Sequence, residues 1–121
     1  MRNRIIFLFF LAAMLCFGIN NVKAQSFTID YDGYSLEYYV LPNSTNKVAV
    51  SCPEDPEEDE IELIIPSTVV NDEGIEFIVT TISEYGFEDK PQFISVTFPN
   101  TITTIEEGAF GYTQIRTITI P

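Results

Sequence analysis

Phe93-Ile94-Ser95-Val96-Thr97-Phe98-Pro99 returns further along the chain as Ile115-Arg116-Thr117-Ile118-Thr119-Ile120-Pro121. Upstream of each copy, Thr80-Thr81-Ile82-Ser83-Glu84-Tyr85-Gly86-Phe87 returns at nearly the same interval as Thr103-Thr104-Ile105-Glu106-Glu107-Gly108-Ala109-Phe110. Each unit joins an alternating run of apolar and hydroxyl residues to a proline. Proline lacks an N–H for a sheet ladder and biases the residue before it toward extended backbone, so a strand that reaches it stops. Strands recurring in phase with a period of roughly 20–29 residues mark a solenoid, whose coils bury their apolar faces against one another. Such architectures argue for a binding or display surface rather than a reaction centre.

Working outward, Ile61-Glu62-Leu63-Ile64-Ile65-Pro66 is a third copy of the strand once the prolines are superimposed. This register stacks Leu63, Val96 and Ile118, and also Ile65, Phe98 and Ile120, toward the interior. It turns Glu62, Ile64, Ser95, Thr97, Thr117 and Thr119 away from the interior. The interval from Pro66 to Pro99 is longer than that from Pro99 to Pro121, and the extra length holds Asn71-Asp72-Glu73-Gly74 between Val69-Val70 and Phe77-Ile78-Val79. That pattern predicts a hairpin protruding from the solenoid. Val79 and Ile82 match Ile102 and Ile105. Phe87 matches Phe110 as the bulky residue on the far side of each coil, where short helical turns fit residues 84–87 and 106–110.

Before the repeats, residues 27–40 alternate around the turn signal Asp32-Gly33, with Phe27, Ile29 and Tyr31 on one face and Leu36, Tyr38 and Val40 sharing a face on the return. Pro42-Asn43-Ser44-Thr45-Asn46 is turn chemistry, and Val48-Ala49-Val50 reads as a third strand. We expect an antiparallel meander over 25–52 that covers the N-terminal end of the solenoid. Residues 53–60, Pro-Glu-Asp-Pro-Glu-Glu-Asp-Glu, cannot pack as a strand and predict an exposed acidic loop. The repeats occupy 61–121. The expected architecture is mainly β: two leucine-rich-repeat coils, the first strand of a third, and a meander cap.

Several words of this sequence resemble the BspA-type leucine-rich-repeat family. They are Ile65-Pro66-Ser67-Thr68-Val69, Val79-Thr80-Thr81-Ile82, Phe98-Pro99-Asn100-Thr101-Ile102, Thr104-Ile105-Glu106-Glu107-Gly108-Ala109-Phe110 and Ile120-Pro121. The meander with Tyr31-Asp32-Gly33 is similar to the leader that often precedes such repeats. Ser83 and Glu106 stand where the family pattern has glycine, and Lys90 stands near the place of a common cysteine. The resemblance implies a secreted or cell-surface protein engaged in adhesion and partner binding.

The N-terminus points the same way. Arg2 and Arg4 precede an uncharged apolar run at 5–17, and Val22-Lys23-Ala24 suits cleavage before Gln25. Residues 1–24 therefore read as a secretory signal peptide, with an apolar run short for a membrane span. Leu15 before Cys16 argues against a lipid anchor. After cleavage, Lys47, Lys90 and Arg116 face all eighteen acidic residues, a formal charge of −15. Such a surface repels nucleic acid and anionic membranes, and no membrane insertion is expected after cleavage. Cys52 alone survives, so a disulfide within the mature chain is impossible, and burial is its expected state.

Catalysis finds no support. The chain has no histidine, so Ser–His and Cys–His pairs cannot be built. Neither a zinc-ligand cluster nor a phosphate-binding glycine loop is present, and we expect no metal and no cofactor. The carboxylates of 54–60 are the nearest approach to a Ca²⁺ loop. They lack its turn glycine and read as a solvated charge run. Tyr31, Tyr34, Tyr38 and Tyr39 suit core and cross-strand packing more than a sugar platform. Asn43-Ser44-Thr45 fits a glycosylation acceptor, to which no role is assigned. The expected function is a non-catalytic interaction or adhesion module, whose open sheet face (Glu62, Ile64, Ser95, Thr97, Thr117, Thr119) binds a protein or surface-glycan ligand. The alternative expectation is a piece of a longer repeat array without independent function. The apolar residues of the last strand also allow self-association, one copy covering another.

Overall fold

The computed structural model describes residues 25–121, and the predicted signal peptide lies outside the described residues. The described residues form nine strands and no helix: β1 (Ser26–Tyr31), β2 (Tyr34–Val40), β3 (Lys47–Ser51), β4 (Ile61–Ile64), β5 (Thr68–Val70), β6 (Glu76–Ile82), β7 (Phe93–Thr97), β8 (Thr104–Ile105) and β9 (Thr117–Thr119). One sheet is wholly parallel in the order β9-β7-β4. The other is mixed, in the order β1-β2-β3-β6-β5, with β8 also pairing with β6.

In the parallel sheet Leu63, Val96 and Ile118 lie side by side, the register expected from the prolines. Its hydrogen bonding runs on past the strands: Ile65 N–H donates to the Thr97 carbonyl and Phe98 N–H to that of Thr119, both at 3.0 Å. A second set of rungs links Ser83 N–H to the Val50 carbonyl and Glu106 N–H to that of Ile82, each at 3.0 Å. A third set joins the turns, with Cys52 N–H to Gly86 and Phe87 N–H to Ala109 at 2.8 Å. Successive passes of the chain are thus tied together in three places, and the buried main-chain groups find partners without a helix. The Thr101 hydroxyl adds a bond to the Val79 carbonyl of the preceding coil at 2.7 Å.

The meander forms over β1–β3 around a turn in which Gly33 takes φ +91°. Its role differs from a separate lid. β3 runs parallel to β6, with a register shift between Val48 and Ala49, so meander and coils share one sheet. That sheet is strongly curled, because Phe27 on β1 reaches Phe77 on β6 with ring centroids 5.4 Å apart. Strands three places apart in a flat sheet would be roughly 14 Å apart.

The hairpin β5–β6 also departs from expectation. It does not protrude as a whole: Val69, Phe77 and Val79 are buried, because β6 is an interior strand paired with β3 on one side and with β5 on the other. Only the turn at 71–75 stands clear. Helical turns do not form at 84–87 or 106–110. Those segments are irregular turns with left-handed residues at Tyr85 and Asp89, repeated in the next coil at Gly108 and Tyr112. The ring of Tyr85 lies over Gly108, where an added Cβ would collide with the ring carbons. In the last strand the stacking register holds, and its apolar side chains are exposed, as their expected availability for self-association requires. Ile118 is 58% and Ile120 74% exposed, since β9 has a described neighbour on one side only.

Aromatic rings bind the coils to one another and to the meander. Phe110 stacks on Phe87 (5.2 Å, 15°), Phe87 meets Phe93 edge-on at 5.8 Å, and Phe93 meets Tyr34 edge-on at 5.6 Å. Phe87 is fully buried at the middle of this column. Phe87→Ala is expected to cost about 3–5 kcal/mol in urea unfolding, and Phe110→Ala, at a half-buried site, clearly less. Gly86 is the close-approach position. A Cβ there would sit 2.9 Å from the Ser83 carbonyl of its own turn and 3.2 Å from both Ser51 Cβ and the Val50 carbonyl of β3. Its repeat equivalent is Ala109, so the fold accepts a methyl in the second coil but not under β3. Gly86→Ala should lower stability by about 1–3 kcal/mol, read by the same titration.

Candidate interaction surface

Pleating decides which side chains the parallel sheet presents. Leu63, Val96 and Ile118 align on the inner side, and the residues flanking them form two rows across the three strands; before Ser95 the alternation of β7 is broken by a register shift that leaves Ile94 without a partner on β4. Glu62, Ser95 and Thr117 make the first row; Ile64, Thr97 and Thr119 make the second. Glu62, Ile64, Thr117 and Thr119 are exposed, while Ser95 and Thr97 on the central strand are half-buried. All six predicted site residues therefore lie on one face. The face carries four hydroxyls, one carboxylate and one bare aliphatic, Ile64, which is 60% exposed. Short β-branched side chains on paired strands hold their rotamers by crowding, so the rows are stiff. The arrangement offers hydrogen-bonding groups beside an apolar contact.

The acidic loop differs from a freely solvated run. Glu57 N–H donates to the Gly33 carbonyl at 3.0 Å. The Cys52 thiol donates to the Glu54 carbonyl at 3.3 Å, and the Asp55 carboxylate lies 3.3 Å from Lys90 Nζ. Pro56 is buried. These contacts hold the loop against the β1–β2 turn, and the two border a cavity of about 270 Å³ lined by Asp30, Tyr31, Tyr34, Glu54, Asp55 and Glu57 among others. No three carboxylate or thiol ligands converge at metal-binding spacing among the described residues. Sequence reasoning missed the loop's anchoring, for which the isolated Lys90 was the available signal.

The tyrosines divide. Tyr38 is fully buried and shares a 2.7 Å hydrogen bond with the Tyr31 hydroxyl. Burial, then the Tyr31 hydrogen bond, raises its pKa far above the ordinary value. Tyr34 stacks on Tyr31 at 5.4 Å, and its pKa too is raised, first by burial. Tyr39 donates to Glu37 at 2.8 Å; burial and then that bond raise its pKa. The adjacent carboxylates Glu106 and Glu107 are structural: the first accepts Glu84 N–H at 3.0 Å and the second the Tyr85 hydroxyl at 3.3 Å, each across the coil boundary.

The sequence matches the family described as BspA type leucine rich repeat region over residues 16–121, in six copies. No curated protein matches it significantly. The structure is similar to a leucine-rich repeat protein from Bacteroides capillosus ATCC 29799, with TM-score 0.62 and 21% identity over 77% of this chain and 64% of that one. It is also similar to the pneumococcal vaccine antigen PcpA, with TM-score 0.55 and 22% identity over 78% of this chain and 26% of that one. This chain thus spans just under two-thirds of the first protein and about a quarter of the second. At such identities the likeness is one of fold.

Cys52 is only 2% exposed. Burial pushes its thiol up to about 11 from 9.0, against a smaller opposing pull from Lys90 and with a further push from Asp55. A thiol whose folded pKa exceeds its unfolded one favours the fold while protonated. That contribution is whole below pH 9 and lost as pH rises toward 11. The thermal midpoint of the wild type should therefore fall between pH 9 and 11 more steeply than that of Cys52→Ala. At about pH 8 a thiol reagent should leave the native protein unlabelled and react once urea unfolds it.

Proposed function

Because the chain belongs to the BspA type leucine-rich-repeat family, we propose that it is a non-catalytic interaction or adhesion module at the cell surface or outside the cell. We read its architecture as two coils and the first strand of a third, closed at the N-terminal end by the meander. The observation that carries the functional reading is the pair of rows Glu62–Ser95–Thr117 and Ile64–Thr97–Thr119 on the outer face of the parallel sheet. A stiff surface of short hydroxyls around an exposed isoleucine suits a partner that brings hydrogen-bonding groups and an apolar contact. Little conformational entropy is then lost on binding. A protein surface or a surface glycan meets that description.

Export is supported by the basic, apolar and small-residue sequence of 1–24. The acidity of the remainder disfavours nucleic acid and anionic membrane as partners. The absence of histidine and the buried, protonated Cys52 support a protein without catalytic chemistry.

The test is a double substitution, Thr97→Lys with Thr119→Lys, in protein displayed against arrays of extracellular matrix proteins and glycans. Binding seen with the wild type should fall by roughly tenfold or more. The unfolding free energy should fall by only about 1 kcal/mol, since Thr119 is exposed and a lysine at half-buried Thr97 can run its stem along the face with its charge in water. Binding that survives the two lysines in a folded protein places the interaction elsewhere.

A further inference from the structure

The mixed sheet carries a second surface with a different character. β1 is its outer strand, and among the described residues nothing pairs with the outer edge of β1. Val40 N–H donates to the Gln25 carbonyl at 2.9 Å, which fixes the alternation along the strand. Residues 25, 27, 29 and 31 bond inward to β2. The main-chain groups of Ser26, Thr28 and Asp30 therefore face outward. The side chains of these three residues are exposed as well. Proteins usually blunt such an edge with lysine, proline or a bulge. β1 reads Ser-Phe-Thr-Ile-Asp-Tyr, and its register with β2 is unbroken along its whole length.

At the start of this edge lies a groove of about 310 Å³ between β1 and the tip of the β5–β6 hairpin. Phe27, Val40 and Phe77 supply its apolar lining, and Asp72 and Glu73 its charge. The tip is held in shape by Asn71, whose Oδ1 accepts Glu73 N–H at 2.9 Å and Ile75 N–H at 3.0 Å. The two carboxylates are therefore presented on an ordered turn beside an unpaired strand. An aliphatic stem ending in a positive charge suits aromatic rings bordered by carboxylates.

We propose that the free edge of β1 takes up a basic, extended segment of a partner protein as an added strand, with one Lys or Arg side chain seated in the groove. The stem of that side chain lies along Phe27 and Phe77, and its charge lies beside Asp72 and Glu73. The surplus of eighteen acidic over three basic residues in 25–121 supplies the matching field. Main-chain bonds to Ser26, Thr28 and Asp30 supply the affinity typical of strand addition. This site lies on the other sheet from the hydroxyl rows and stands or falls separately from them.

The probe is a fluorescent peptide of alternating lysine and valine, titrated against the full chain by anisotropy. A second peptide of the same sequence, N-methylated at every residue, keeps the charge and loses the strand-pairing donors of both edges. Thr28→Pro removes one outward N–H without touching the bonds to β2, as prolines on sheet edges do. Asp72→Asn with Glu73→Gln removes the charge at the groove. The expected result is saturable binding of the unmodified peptide only, weakened roughly tenfold or more by either variant with an unchanged thermal midpoint. If Thr28→Pro unfolds, the two peptides on wild-type protein decide the matter alone. Equal binding of both peptides, binding that survives Thr28→Pro in a folded protein, or no binding at all would overturn the proposal.

Discussion

A single coil of this chain has no interior of its own. Whatever it buries is buried by the coil before it and the coil after it, and this dependence on neighbours governs the whole molecule. Phe87 is fully buried because Phe110 stacks on one side and Phe93 closes the other. The carbonyl of Val79 is satisfied by a threonine from the next coil, and the main chain of Glu84 by a glutamate from the next coil. Even the meander obeys the rule. It inserts β3 into the sheet as if it were one more pass of the chain, and Gly86 lacks a side chain so that β3 can come close enough. Conversely Ile118, in correct register over Val96, stays exposed where no described segment follows it.

The charge distribution fits this scheme. Eighteen acidic side chains on so small a chain cannot enter coils that are shared on both sides, so they collect in connections and on outward faces. The acidic loop connects meander to repeats and is still fastened, by Lys90, by the Glu57 N–H and by the buried ring of Pro56. Fastening it costs little in repulsion because its other carboxylates remain in water. The chain combines a hydrogen-bonded frame with a strongly negative exterior.

Much of this was legible in the residues. The recurring prolines set the strand ends. The regular interval between them set the register of β4, β7 and β9, and alternation identified which six side chains share the outer face. Those features are local or periodic, and a linear pattern records them. Three others depend on contacts distant in sequence, and no period announces them. The parallel pairing of β3 with β6 joins segments separated by the whole acidic loop and two further strands, and does so through a bulge. The hairpin at 68–82 reads as an excursion because its length breaks the period, yet β6 is an interior strand of its sheet. The turns at 84–89 and 107–112 carry left-handed tyrosine and aspartate as well as glycine. Nothing in a tyrosine itself signals φ near +54° unless the glycine of the next coil is known to occupy the same place.

That last pairing constrains how such an array can lengthen by duplication of its gene. The ring of Tyr85 lies in space that Gly108 leaves open. Copying the first coil in tandem would set a second tyrosine in the glycine's place, with its Cβ against the ring below. Copying the second coil would set glycine on glycine, with no clash to relieve. A tyrosine-bearing coil thus fits without adjustment beneath a glycine-bearing neighbour, whereas beneath a copy of itself its half-exposed ring would have to swing aside.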